Sequence, residues 1–134
     1  MKLEDDLKDR FYQKLGALFY SVAAADKVVH PKEIKTLKEL ILKKWKATEA
    51  YKDHFGSDVI HQMEVVFDWL EYKNTAAEES FNTFKDYYLD NRSLFTPERK
   101  DLIMKTASKI AHSYADVNKS ELIILSKLDQ LFKD

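Results

Sequence analysis

The chain has 134 residues, 45% hydrophobic and 34% charged, a balance that suits a packed core under a solvated surface and excludes intrinsic disorder. With 22 basic and 23 acidic residues the net charge is −1, so no basic excess marks a phosphate-backbone binder, and the lack of cysteine removes disulfides, thiolate nucleophiles and cysteine-ligated zinc. Two glycines and two prolines leave little turn chemistry for hairpins, so the expected architecture is all-α: a single compact bundle of about six helices over residues 1–134.

The N-terminus "MKLEDDLKDR" is acidic and carries no long apolar run, which predicts no secretory leader and a cytoplasmic location. Leu3, Leu7, Phe11, Leu15, Leu18, Phe19 and Val22 recur at helical spacing and predict a first helix over roughly residues 3–25. Gly16 lies inside that helix, costs about 1 kcal/mol relative to alanine, and would allow a second helix to approach closely. Pro31 suits the first turn of a second helix, where its missing N–H is not needed. Ile34, Leu37, Leu40, Ile41 and Trp45 form the apolar stripe of that helix.

After the weak stretch "KATEAYKDHFGSD", a third helix is predicted to bury Val59, Ile60, Met63, Val66, Phe67 and Leu70. "KNT" breaks it, with Asn74 or Thr75 as the cap of a fourth helix carrying Phe81, Phe84, Tyr88 and Leu89. Tyr87 and Tyr88 are adjacent and point in different directions, so one of them is expected at the surface as a partner contact. "NRSLFTPERK" reads as a connection ending in a Thr96 N-cap with Pro97 at the first helical position. A fifth helix buries Leu102, Ile103, Thr106, Ala107, Ile110 and Ala111. Asn118 caps a sixth, whose stripe is Leu122, Leu125, Leu128, Leu131 and Phe132. No segment is a membrane span.

A shift of 88 positions lays Val22 on Ile110, Ala23 on Ala111, Val29 on Val117, Glu33 on Glu121 and Leu37 on Leu125. Both segments read as a small-residue helix end, a bend, an N-cap, a glutamate at the third helical position and an amphipathic helix. This pattern predicts two pseudo-repeated helix–bend–helix motifs. "VAAADKVVHPKEIKTLKELI" resembles the signature of TerB-like domains, a group that includes tellurite-resistance proteins and the N-terminal region of DjlA-type co-chaperones. Ala23, Ala25, Asp26, Val29, Glu33 and Leu37 occupy the places of its A-x-A-D-G-x-V-x-x-x-E-x-x-x-L pattern, with Lys27 where glycine is usual. "IAHSYADVNKSELIILSKL" resembles the C-terminal copy, with Tyr114 at the aspartate position and Asp116 two residues later. The resemblance implies an all-helical fold, no established reaction, a role in metal or oxyanion stress, and a weak calcium or magnesium site formed by Asp26, Glu33, Glu121 and Asp116.

The residues themselves admit other readings of those acids. A glutamate at the third helical position can reach back to the N–H of its cap, so His30 with Glu33 and Asn118 with Glu121 form two capping pairs. Asp26 closes the first helix, where the dipole disfavours a carboxylate, so it either bonds backbone N–H groups in the bend or binds a cation. An EF-hand loop is excluded, because Val22 and Ala24 fall on its early ligand positions and Lys27 on its glycine. His61 and Glu64 share a helix face but make no zinc site alone, no nucleophile motif or glycine-rich phosphate loop occurs, and "KKWK" (43–46) reads as a core tryptophan flanked by lysines rather than a base-stacking platform. The functional expectation is a non-enzymatic, stress-associated binding or scaffold domain whose partner is another protein and not nucleic acid. The alternative is a metal-free protein-interaction adaptor whose acids serve only as helix caps.

Overall fold

The computed structural model describes residues 2–25, 31–45, 59–113 and 119–133, with backbone alone for residues 2–8, 33, 41, 42 and 59. Among these residues there are six α-helices and no strand: α1 (Lys2–Ala23), α2 (Pro31–Leu40), α3 (Gln62–Lys73), α4 (Ala77–Asp90), α5 (Pro97–His112) and α6 (Lys119–Lys133). The expected all-α bundle is therefore present. A wide π-type turn, Ile41–Trp45, extends α2, and 3₁₀ turns precede α3 (Val59–His61) and follow α4 (Arg92–Leu94). No helix among the described residues is long and apolar enough to cross a membrane.

Helix α1 is the axis of the bundle, and its sequence explains why. From Leu15 to Ala24 every residue is buried, Gly16 and Ser21 included, and these residues point in every direction around the helix. A helix that is apolar on all sides must be enclosed by others. It packs most extensively on α3 and α4, and also on α5 and α6, while α2 lies chiefly on α5. The pairs α1/α2 and α5/α6, which carry the two segments expected to repeat, share one core.

Gly16 does what its position predicts. A Cβ built there would lie 2.6 Å from the carbonyl oxygen of Met63 and 3.1 Å from both the Met63 Cα and the Val66 Cβ, so α1 and α3 touch at backbone distance. The first neighbour is main chain and cannot swing aside. Gly16→Ala is expected to destabilise the fold by up to about 2 kcal/mol: overpacking of roughly 1–3 kcal/mol is set against a helix-propensity gain of about 1 kcal/mol. Urea denaturation checks this, since a midpoint that rises would mean the two helices separate freely.

The break between α3 and α4 is set by Asn74, the single non-glycine residue with a left-handed backbone among those described (φ 55°). The Asn74 N–H donates to the Glu71 carbonyl at 3.0 Å and the Thr75 N–H to the Leu70 carbonyl at 3.1 Å, the paired bonds of a Schellman ending. The residue before α4 is Ala76, which makes no side-chain cap, so neither Asn74 nor Thr75 caps α4 as expected. Thr96 does cap α5: its Oγ1 accepts from the Arg99 N–H at 3.2 Å, and Pro97 follows at the first helical position.

Two expected surfaces are corrected. Tyr87 and Tyr88 are both buried, at 7% and 1% exposure, so neither marks a partner surface. The turn after α4 folds Phe95 back over that helix, with its ring 6.2 Å from Tyr87 and 5.0 Å from Tyr88. In α6 the buried line is Glu121, Ile124, Leu128 and Leu131, whereas Leu122 is 58% exposed and Leu125 partly covered. The helix is rolled so that its 121/124/128/131 face, rather than the Leu122 face, meets the core. Burial therefore matches between the two segments expected to repeat at Val22 and Ile110 and at Ala23 and Ala111, but Leu122 does not share the partial burial of Ile34. Leu89, also expected inside, is 41% exposed.

Candidate functional site

Of the four acids expected to bind a cation, Asp26 and Asp116 lie outside the described residues. Glu33 is described by its backbone and Glu121 in full, and each is the third residue of its helix, as the capping pattern requires. Their expected cap residues, His30 and Asn118, lie outside the described residues. The Glu121 side chain is buried at 4% exposure, in line with Ile124 on the inner face of α6. In the first helical turn a carboxylate meets unpaired backbone N–H groups and the positive end of the dipole. Among the described residues no group of three or more His, Asp or Glu side chains is placed to hold a metal ion.

The other candidates resolve individually. His61 Nδ1 lies 2.7 Å from Glu64 Oε1, so the pair does share a face, but both ends are solvent-accessible. His112 Nδ1 lies 2.7 Å from the Ser108 carbonyl, and His54 lies outside the described residues. In "KKWK", Lys43 and Lys44 are exposed while Trp45 is fully buried, which matches the core reading and leaves Trp45 no face for base stacking.

A cleft of about 720 Å³ opens where α1 meets the α3–α4 turn, floored by Tyr20, Ala24 and Ala25 and walled by Glu71, Asn74 and Glu78. The Tyr20 hydroxyl donates to the Thr75 carbonyl at 2.6 Å and ties α1 to that turn. Burial, reinforced by the negative charge of Glu71, raises the Tyr20 pKa above the ordinary 10.0. Burial likewise raises that of Tyr87, against the opposing pull of Arg10 and Arg99. For both groups the native state holds the phenolic proton more tightly than the unfolded chain does. Their stabilisation is therefore complete below the ordinary tyrosine pKa and is lost as pH rises through the higher native values. Alkaline denaturation should show stability falling above pH of about 10, with a shallower fall in Tyr20→Phe. An equal slope in the variant would remove Tyr20 from that account.

Among the described residues the most exposed apolar surface lies on α3. Met63 and Phe67 face the core, yet Val65, Trp69 and Tyr72 point outward at 58%, 55% and 84% exposure. Positions 65, 69 and 72 follow i, i+4, i+7 spacing and form one stripe. The Trp69 and Tyr72 rings stack at 6.0 Å between centroids and 22° between planes, and Lys73 Nζ lies 5.5 Å from the Trp69 centroid. Residues 64, 68 and 71 lie one position earlier and place three carboxylates along one edge of the stripe. Asp68 lies 3.9 Å from Lys38 of α2, and Glu64 is held by His61. The face thus offers a stacked aromatic pair, an aliphatic neighbour and an acidic border.

The periodicity of α4 points to a partner surface at Tyr87 or Tyr88, and not to this face of α3. Its signal was available: Val65, Trp69 and Tyr72 fall outside the inward stripe 60/63/67/70, so α3 carries apolar residues on both faces. No described protein family, no curated protein and no solved structure matches the chain.

Proposed function

We propose that this chain is a non-enzymatic, protein-binding helical module that engages its partner through the Val65–Trp69–Tyr72 face of α3. The observation that carries the reading is the stacked Trp69–Tyr72 pair, 55% and 84% exposed on a helix whose other face is already packed. Large exposed aromatics are costly to leave in water, and such side chains dominate the energetics of protein interfaces. Stacking also limits the rotamer freedom that binding would otherwise remove. The resemblance to TerB-like domains supports the same class of role, a binding or scaffold domain without chemistry of its own. It does not select between the stress-associated and the purely adaptor version.

A photo-crosslinking amino acid placed at Tyr72 is expected to trap a defined protein adduct in cells, and one placed at exposed Glu98 on α5 is not. Identical adducts from both positions, or none from position 72, would overturn this reading.

A further inference from the structure

Charge along the chain is unevenly divided. Residues 62–90, covering α3 and α4, hold seven acids (Glu64, Asp68, Glu71, Glu78, Glu79, Asp86 and Asp90) against two lysines (Lys73 and Lys85), a net charge of −5. With −1 for the whole chain, the remainder carries +4. The acids closest to the aromatic stripe are not scattered: Glu64, Asp68 and Glu71 repeat the i, i+4, i+7 spacing of Val65, Trp69 and Tyr72, one position earlier. An aromatic line and an acidic line therefore run side by side, about 100° apart around α3.

We infer that the occupant of this face is a basic amphipathic helix of another protein, an inference that rests on the protein-binding reading above. Its apolar residues would cover Val65, Trp69 and Tyr72, and lysines or arginines at matching spacing would lie along Glu64, Asp68 and Glu71. The present partners of these carboxylates do not prevent this. The Lys38–Asp68 pair is 3.9 Å long with its side chains 45% and 54% exposed, and such a contact contributes little and exchanges readily. A second copy of the chain fits less well. Where a two-fold axis sets the two α3 helices antiparallel, equivalent flanks meet and acids oppose acids. An anionic membrane would be repelled by the same border.

The test uses the full chain and its own fluorescence. Of the two tryptophans, Trp45 is fully buried and Trp69 is 55% exposed, so covering this face shifts the emission of Trp69 alone. The probes are helical peptides of equal length: one of leucine and lysine, one of leucine and glutamine. The Leu/Lys peptide should give a saturable blue shift and bind about tenfold more tightly than the Leu/Gln peptide at low salt. That preference should vanish in the triple variant Glu64→Gln/Asp68→Asn/Glu71→Gln, which keeps the aromatic stripe. Trp69→Ala, followed by peptide anisotropy, should lose binding to both peptides.

Equal binding of the two peptides, with loss in Trp69→Ala, would overturn the basic partner and leave the protein-binding reading standing. Binding of neither, or binding indifferent to Trp69→Ala, would overturn both. A blue shift with phosphatidylserine vesicles, or a dimer in sedimentation that Trp69→Ala dissolves, would replace the proposed partner with a membrane or a second copy.

Discussion

Phe95→Ala is expected to lower unfolding free energy by about 3–5 kcal/mol, enough to consume much of the stability of a domain this size. Phe95 is 4% exposed although it lies between helices, and its ring meets five others. The centroids of Tyr88, Phe11, Phe84, Tyr87 and Phe132 stand 5.0, 5.1, 5.7, 6.2 and 6.2 Å away. Those rings come from α1, α4 and α6, so one side chain in a turn closes the end of the bundle where three helices converge.

The surrounding cations hold that arrangement from outside. Arg99 Nη1 donates to the Leu94 carbonyl at 2.7 Å while its guanidinium lies 5.0 Å from the Phe11 centroid. Lys100 Nζ donates to the Phe132 carbonyl at 3.2 Å and lies 5.6 Å from the Tyr88 ring. Removing the Phe95 ring leaves a cavity that aromatic neighbours fixed on three helices cannot collapse to fill, which places the cost at the upper end for a large-to-small change. Thermal or urea unfolding measures it. A loss under about 1 kcal/mol would mean that the turn carrying Phe95 is loosely attached.

Phe95 also shows where sequence reasoning stops. Periodicity identified the inward faces of α3 and α5, because a stripe repeating every three or four residues has one burial solution when a helix packs on one side. Thr96 and Pro97 were legible because capping chemistry is local. Phe95 belongs to no stripe, so its burial depends on how "NRSLFTP" folds back over α4, a tertiary fact. That same fold-back buries both Tyr87 and Tyr88. Side chains 100° apart cannot share one helix neighbour, but the turn supplies a second cover.

The α6 error has a different origin. "ELIILSKLDQLF" allows two overlapping stripes that share Leu128 and Leu131, and apolarity alone prefers the one through Leu122 over the one that takes Glu121 inside. The α3 face escaped for a third reason: Trp69 and Tyr72 are hydrophobic residues placed where a core rule has no use for them. The face proposed for a partner departs from the core pattern, and solvent exposure is what reveals the departure.

Trp45→Ala should cost about as much as the loss of Phe95, roughly 3–5 kcal/mol, and a pair of gentler variants separates packing from hydrogen bonding. In an ordinary helix, residue 45 would lie about 80° away from the buried Leu37. The wide turn over Ile41–Trp45 takes roughly 4.4 residues, so it and one ordinary turn of about 3.6 add to the eight positions between them and return Trp45 to the inward face. There the indole is fully buried, 6.3 Å from both Tyr12 and Phe19 at edge-on angles of 89° and 62°. Its Nε1–H donates to Thr106 Oγ1 on α5 at 3.1 Å, and the Thr106 hydroxyl donates in turn to the Leu102 carbonyl at 2.8 Å. Thr106→Val keeps the shape of the contact and strands the indole N–H in a dry core, so it should destabilise by about 1–3 kcal/mol. Trp45→Phe with Thr106→Val removes donor and acceptor together, and should be less destabilised than the two single costs added, because no buried polar group is then left unpaired. A double-mutant cycle by urea unfolding reads this coupling. Strict additivity would mean that the bond contributes nothing and that Trp45 holds α2 to α5 by packing alone.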